Sequence, residues 1–471
     1  MLKNFIYKDL KQKLEFVPTS GQEILLKNLS DFISSPPEGE IYLIKGFAGT
    51  GKTTIVNALV RTLSDLKHSA ILLAPTGRAA KVLSSYTSRP AFTIHKKIYR
   101  QERGKDGLGS FVLDRNLHKN AFFIVDEASM IGDRNFENSQ FGSGDLLGDL
   151  LYFVQSGNNC HLILIGDTAQ LPPVGLEISP ALDVKHLESL GLQVRESFLS
   201  DVLRQAMDSG ILKNATYLRR MIEENDEYFP RFNIEGDDDV IRLGGTDLLD
   251  ALEDSYSKYG EEGTIVVSRS NKRANKFNMG IRNQILWREE EISLGDLLMI
   301  VKNNYHWISP EEGLDFIANG DIAKLERIIK YQSMYNYRYA DVILSLGDYK
   351  NLEVEARIML DTLLMDTASL PLKNQRELFQ TIIEDYAGEP DPKKRTKNVI
   401  ENPFYNALQV KFAYAVTCHK AQGGQWKSVF IDPGFFHEDM LNREYLRWLY
   451  TAFTRATEKL HLVNFPDEFF V

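Results

Sequence analysis

The sequence predicts an α/β protein: two domains built on parallel sheets, the second split by an inserted small β-barrel with a helical extension. Three observations predict it. Short apolar runs rich in Ile, Val and Leu alternate with helical segments in the first part of the chain, a second set of such runs follows later, and the stretch 290–405 between them has a different character.

The first set is 41–45 (IYLIK), 70–74 (AILLA), 121–126 (AFFIVD) and 161–166 (HLILIG), interleaved with segments such as TTIVNALVRTL. Runs this short, separated by helical periodicity, read as buried parallel strands with crossover helices. The second set is 263–270 (GTIVVSRS), 428–432 (SVFID) and 460–463 (LHLV). In the intervening stretch, EISLGDLLMIVKNN and FIANGDIAKLERII carry Gly295-Asp296 and Gly320-Asp321 between short apolar segments, the pattern of a small barrel. A charged helical segment around LDTLLMDTASLPLKNQRELFQTIIEDY and a Pro-rich basic stretch, GEPDPKKRTK, follow; the latter reads as a solvated linker loop.

Composition bounds the rest. A chain of 471 residues accommodates roughly three domains, and 43% hydrophobic with 25% charged residues argues against disorder or a collagen-like fibre. No apolar run approaches the roughly eighteen residues of a spanning helix, and the opening MLKNFIYKDL carries Lys and Asp where a signal peptide needs an apolar core. A cytoplasmic location with no membrane partner is therefore expected. Cys160 and Cys418 are the only cysteines, which excludes a disulfide framework and a four-Cys zinc site. The net charge, 55 − 65 = −10, does not exclude a nucleic-acid partner, because binding depends on where positive charge sits. Residues 75–105 hold Arg78, Lys81, Arg89, Lys96, Lys97, Arg100, Arg103 and Lys105 against Glu102 alone. As charge alone this stripe is a solvated face. The run Asp237, Asp238, Asp239 lacks a spaced His or Glu and reads as a surface turn.

Two motifs carry chemistry. Gly46-Phe47-Ala48-Gly49-Thr50-Gly51-Lys52-Thr53 satisfies G-x-x-x-x-G-K-[ST] between a strand and a helical run. Its glycines let backbone N–H groups wrap phosphates, Lys52 supplies a point charge, and the Thr53 hydroxyl suits Mg²⁺; Thr54 continues the loop into the helix. Asp126-Glu127 closes the strand AFFIV, where Asp126 can hold Mg²⁺ through water and Glu127 can polarise an attacking water. ATP and Mg²⁺ are thus the expected cofactors.

Around these, GFAGTGKTT, APTGRAAKVL, TIHKKIY, IVDEASMI, LIGDTAQLPPVG, VLRQ, AVTCHKAQGGQW and YTAFTRA occur in an order that resembles the superfamily 1B helicases, the RecD, Dda and Pif-like group. The resemblance implies two RecA-like P-loop domains with parallel sheets that clamp one ATP. A small Src-homology-like β-barrel is inserted in the second. It places the first motor domain at 1–200, the second at 201–289 and 406–471, and the inserted barrel and helical segment at 290–405. It implies that Gln22 reads adenine, that Gln170, with Asp167 beside it, senses the γ-phosphate, and that Arg204 and Arg455 reach the γ-phosphate from the second domain. Lys52 and Glu127 complete the catalytic set, and Gly46, Gly49, Thr50, Gly51 and Thr53 the cradle.

For a polymer track the same resemblance assigns DNA contacts to Pro75, Thr76, Gly77, Arg78, Thr93 and His95 in the first domain. In the second, Thr417, His419, Lys420 and Gln422 match the motif that contacts both the strand and the nucleotide cleft. Phe92 and Trp426 read as packing, not as base-stacking platforms. Residues 99–120, with Gly104, Gly107 and Gly109, fall where these helicases insert a strand-separating pin, and a passive loop fits equally well. The implied activity is ATP-dependent 5′–3′ movement along single-stranded DNA with unwinding at ss/ds junctions, in DNA repair or recombination. A P-loop enzyme that moves no polymer, and a DNA-binding module that uses ATP only as a ligand, are the alternatives. Whether one copy suffices is open from the residues.

Overall fold

The computed structural model describes residues 2–471 except 15, 38, 104–108, 134–141, 202–208, 227, 309–315 and 350–351. Among the described residues, the strands before residue 200 are β1 (Glu40–Gly46), β2 (Ser69–Ala74), β3 (Ala91–Thr93), β4 (Tyr99–Arg103), β5 (Gly109–Leu113), β6 (Lys119–Val125), β7 (Asn158–Gly166) and β8 (Gln193–Leu199). Six of these form a parallel sheet in the order β3-β2-β6-β7-β1-β8. Its runs are continuous apolar stretches because helices cover both faces. On one face, helix Ser20–Ser34 begins with a reciprocal Thr19–Gln22 capping box and buries Leu25, Leu26, Leu29, Phe32 and Ile33, a helical stripe, with Tyr42 and Ile44 of β1 in one core.

The later strands are β9 (Val240–Leu243), β10 (Thr264–Ser268), β11 (Leu297–Ile300), β12 (Ile322–Met334), β13 (Tyr337–Leu346), β14 (Leu352–Met359), β15 (Leu408–Phe412), β16 (Ala415–Thr417), β17 (Trp426–Asp432) and β18 (Ala456–Val463). A second parallel sheet has the order β16-β10-β17-β18-β9, and β11 to β15 close into a barrel. The fold is therefore α/β, with two RecA-like parallel sheets and a five-stranded barrel inserted in the second. In the barrel β14 and β15 pair parallel and the other neighbours antiparallel. The long β12–β13 hairpin turns at Tyr335 and Asn336, both left-handed (φ 51° and 63°), which matches the strand twist.

Several expectations need correction. The insertion is expected to end at 405, but the barrel runs past it, because β15 (Leu408–Phe412) is the strand that closes it. The stretch read as a Pro-rich basic loop is largely the helix Pro392–Ile400: Asp391 accepts from the Lys393 N–H at its start, and Pro392 sits where a missing N–H costs nothing. The acidic run at 237–239 is a cap as well as a turn: Asp239 accepts from the N–H groups of Gly210 and Ile211, at the head of helix Gly210–Glu224. Strands β4 and β5 pair antiparallel from Tyr99–Leu113 to Arg103–Gly109, so a ribbon occupies the segment considered for a pin. Its tip, with Gly104 and Gly107, lies outside the described residues. Phe111 of β5 packs against Tyr305 of the barrel (ring centroids 4.1 Å), which packs in turn on Phe316 (5.1 Å).

The barrel is joined to the second sheet by a buried charge network. Arg282 and Asp296 are both 0% exposed and pair through two hydrogen bonds of 3.0 Å. Arg288 adds a third contact to Asp296 at 3.3 Å, and the Tyr414 hydroxyl donates to Asp296 at 3.1 Å. The Arg282 guanidinium also lies 4.2 Å from the Phe412 ring centroid, on β15. No described helix is long and apolar enough to cross a membrane. Both cysteines are free.

Removing one member of this network leaves a charge stranded in the interior. Asp296→Ala is expected to destabilise the protein by about 3–5 kcal/mol, seen as a lower urea midpoint. An unchanged midpoint would contradict the joint.

Candidate nucleotide and nucleic-acid site

In the first sheet β1, β7 and β6 are neighbours and run parallel, so their carboxyl ends open at one edge. The crevice outside the strand ends of such sheets is where ligands bind. Here β1 delivers the loop 46–53, β7 delivers Asp167 and Gln170, and β6 delivers Asp126 and Glu127.

The loop after β1 wraps because Gly49 and Gly51 adopt left-handed conformations (φ 74° and 82°), which residues with a Cβ avoid. Gly51 caps helix Lys52–Asp65, whose N-terminal N–H groups face the loop's interior as an anion cradle does. At Gly46 a Cβ would come within 3.0 Å of the Leu199 Cβ on β8, a tight contact that favours glycine here. Lys52 Nζ donates to the carbonyls of Gly46 and Phe47, both at 2.7 Å, while the buried Thr50 hydroxyl donates to Phe47 O at 2.8 Å. Thr53 is exposed at the mouth and Thr54 is half-buried behind it. Gln22, expected to read adenine, is 0% exposed, and both ends of its amide are engaged within the protein. Its Nε2 donates to Thr50 O at 2.9 Å, and its Oε1 accepts from Thr19 N–H at 3.0 Å. In this geometry Gln22 braces the phosphate loop.

At the end of β6, Asp126 Oδ1 accepts from the Glu127 N–H (2.8 Å) and Oδ2 accepts from the Tyr86 hydroxyl (2.7 Å). These bonds fix the carboxylate and leave further lone pairs for a water-bridged cation. Glu127 has φ 53°, ψ 37°, a conformation costly for a side chain with a Cβ and typical of places where geometry is imposed for function. Burial pushes its carboxyl above the ordinary 4.5. Arg455 opposes that shift, Asp126 adds to it, Lys52 opposes it and Asp167 adds to it. A carboxylate so placed is a better base than an exposed one. Gln170 is 6% exposed, and its Oε1 has no hydrogen-bond partner, an orphaned acceptor at the same edge. The donor set fits a nucleotide with its Mg²⁺: Thr53 and Asp126 offer one hydroxyl and one carboxylate, and Mg²⁺ typically takes its other ligands from phosphates and water. Among the described residues no cluster of three His, Cys, Asp or Glu forms a metal cage.

The second sheet's helix Arg443–Phe453 lies across the cleft. The Tyr450 hydroxyl accepts from Ala48 N–H (2.8 Å) and donates to Asp167 Oδ2 (2.7 Å). Leu171 is held at both its backbone groups: Thr451 Oγ1 accepts from its N–H at 2.9 Å, and Gln422 Nε2 donates to its carbonyl at 2.7 Å. Gln422, which stands in the motif expected to contact both strand and nucleotide cleft, faces the cleft. The Arg219 guanidinium stacks 4.4 Å from the Phe47 ring centroid. Arg455 is 3% exposed, and its guanidinium donates to Thr451 O, Gly424 O and Thr454 Oγ1 while its charge reaches Glu127. Arg204 lies outside the described residues.

The residues expected to touch DNA converge from both domains. Ala74 pairs with Thr93 across β2 and β3, so Pro75 and Thr93 leave the sheet side by side. Thr76 and Thr93 each cap a helix, accepting from Ala79 N–H (3.2 Å) and Lys96 N–H (3.1 Å). Burial pushes His95 down to about 4. Across the junction, Thr417 stands at the head of the short helix Cys418–Ala421. Burial lowers His419, and Lys420 donates to Asn319 of the barrel. A Cβ on Gly423 would meet Ala79 Cβ at 2.8 Å, and one on Gly77 would meet Asp321 Oδ1 at 2.4 Å. The helix head at 76–79 is thus in close contact with the second domain and the barrel. The Arg78 guanidinium lies 3.9 Å from the ring centroid of Trp426, which is 4% exposed; Trp426 is packing, as expected.

Sequence reasoning missed Tyr86, Tyr450 and Thr451. Tyr450 and Thr451 stand inside YTAFTRA, where only the arginine drew attention; Tyr86 had no motif to mark it.

Residues 36–221 match the AAA domain family and residues 412–463 the UvrD-like helicase C-terminal domain. The chain is 25% identical to the ATP-dependent RecD2 DNA helicase of Deinococcus radiodurans over 94% of its length and 49% of that protein's. It is 26% identical to the ATP-dependent DNA helicase dda of Enterobacteria phage T4, covering 55% of each. It thus spans about half the length of these two relatives. A Pif1 helicase from Bacteroides, solved in complex with ADP-AlF3 and single-stranded DNA, aligns with 97% of this chain and 95% of its own at 13% identity and a TM-score of 0.45. The two family matches and the RecD2 and Dda relatives bear out the resemblance to superfamily 1B helicases.

Two outcomes follow. Because a buried Glu127 must be ionised to act as a base, the acid limb of the ATPase kcat should lie above pH 4.5, and Glu127→Asp should shift it. A limb at or below that pH, unmoved in the variant, contradicts the assignment. Gly77→Ala should cost about 1–3 kcal/mol, through overpacking against Asp321, in a thermal melt.

Proposed function

We propose that the chain is an ATP-dependent 5′–3′ DNA helicase that couples hydrolysis between two RecA-like domains to movement along single-stranded DNA and unwinding at ss/ds junctions. The motor domains are taken as 1–200 and 201–289 with 413–471, and 290–412, which takes in β15, as the inserted barrel and helical segment. One observation carries the reading. The segment that holds Arg455 in the second sheet's domain also bonds, through Tyr450 and Thr451, to the P-loop and to the loop after β7. Hydrolysis in this cleft therefore acts on the relative position of two domains whose other edges carry the basic helix head and the Thr417–Lys420 turn. A small-molecule kinase has no use for such a junction. The 5′–3′ direction and a role in DNA repair or recombination rest on resemblance alone, and a cytoplasmic location rests on the lack of a long apolar run.

In this reading the cradle of Gly46, Gly49, Thr50, Gly51, Thr53 and Thr54 and Lys52 hold the phosphates, with Gln22 bracing the loop. Mg²⁺ would sit between Thr53 and Asp126 and screen the phosphate charge. Glu127 takes the proton of the attacking water, Gln170 senses the γ-phosphate through its amide N–H₂ while its free Oε1 can accept from that water, and Arg455 and Arg204 neutralise charge that develops as the bond breaks. Pro75, Thr76, Gly77, Arg78, Thr93, His95, Thr417, His419 and Lys420 contact the backbone of the strand, which fixes register without reading sequence.

The test is an ATPase titration with single-stranded DNA, followed by unwinding of matched duplexes with 5′ or 3′ overhangs. Hydrolysis should rise with DNA, and only the 5′-tailed duplex should open. Glu127→Gln should keep ATP binding while kcat falls at least about a hundredfold, as for loss of a general base. ATP turnover indifferent to DNA would overturn the reading.

A further inference from the structure

Tyr450 is 1% exposed and its hydroxyl makes two bonds at once, accepting from the P-loop amide of Ala48 at 2.8 Å and donating to Asp167 at 2.7 Å. The second Asp167 oxygen accepts from Ala169 N–H at 2.9 Å, which closes the turn after β7. Thr451 and Gln422 hold the far end of that turn by both backbone groups of Leu171. Between these anchors stands Gln170, whose side-chain oxygen is buried without a partner. The second domain therefore grips both ends of the segment 167–171 and one amide of the phosphate loop. All but one of these contacts come from a single helix turn just ahead of Arg455.

We infer that Tyr450 is a positioning residue that links the two nucleotide loops to the second motor domain, so that a shift of the P-loop or of the Gln170 turn is transmitted to the helix leading to Arg455. The inference rests on the proposed helicase reading and names a coupling element within it. The reasoning is geometric. One hydroxyl bridges two loops of one domain from the other, and a phenol shielded from water cannot exchange either bond for solvent without moving its helix. Burial and the Asp167 carboxylate hold this phenol well above its ordinary pKa, so it stays a donor throughout the working range.

Tyr450→Phe keeps the ring and removes both bonds. The DNA-stimulated kcat should fall roughly tenfold to a hundredfold, the worth of two hydrogen bonds inside a protein. The dissociation constant of a fluorescent ATP analogue should change by less than about twofold, since the interaction lost is one that positions groups for turnover. Asp167→Asn, which disturbs the other end of the same bond, should give the same split. The double variant should be no worse than the poorer single one, as for two members of one unit. A thermal melt checks that each variant folds; should Tyr450→Phe fail to fold, Asp167→Asn carries the test with the same criterion. The inference is overturned if stimulation and kcat equal wild type, if only nucleotide affinity changes, or if the two substitutions add independently. Wild-type protein whose ATPase ignores DNA would instead sink the helicase reading, and this inference with it.

Discussion

Three neighbouring parallel strands, β1, β7 and β6, end at one edge of one sheet, and every chemical argument about this protein depends on that constraint. Parallel strands need crossovers, the crossovers bring each next strand in from the same side, and the loops that leave the strands gather on the opposite side. The phosphate cradle, the Gln170 turn and the Asp126-Glu127 pair are far apart in the chain and adjacent in space for this reason alone. The positive φ of Glu127 and the orphaned acceptor of Gln170 appear at that edge and fit a site whose geometry is imposed by its surroundings.

The second sheet supplies what the first lacks. A P-loop domain by itself can bind a nucleotide, and in the proposed mechanism two further cations come from across the cleft. Arg455 reaches Glu127 electrostatically while its hydrogen bonds stay within its own domain, so the guanidinium is held in place by Thr451 O, Gly424 O and Thr454. The barrel is tied to this same domain by the buried Arg282–Asp296 pair and touches the first domain at Gly77. Movement of the second domain thus carries the barrel with it, past the helix head where the basic stripe begins. The ribbon of β4 and β5 meets the barrel through Phe111 and Tyr305, which adds a third contact along that border.

Much of this was legible in the amino-acid sequence. Long apolar runs gave β1, β2, β6, β7, β10, β17 and β18, because a strand covered on both faces cannot hide its character. The short β3 and β16 and the half-polar β8 lacked that mark, and the barrel strands after β12 carry alternating polar residues and did not stand out one by one. The basic stretch at 388–397 misled because proline was read as a breaker where it opens a helix. Gln22 was found at the right place in the sequence, but its motif did not reveal that its amide would be engaged by Thr19 and Thr50.

By itself the sequence determined the chemistry available: a glycine-rich loop, an acidic pair at a strand end, and a set of cations and hydroxyls in a fixed order. Those are local properties, set by which atoms a residue carries and what backbone it tolerates. Only the tertiary structure decided the pairings across the cleft, Tyr450 with Ala48 and Asp167, Gln422 and Thr451 with Leu171, Arg78 with Trp426. A hydrogen bond between residues hundreds of positions apart leaves no periodic trace in a sequence, because it is fixed by the packing of whole sheets and not by the propensity of either partner.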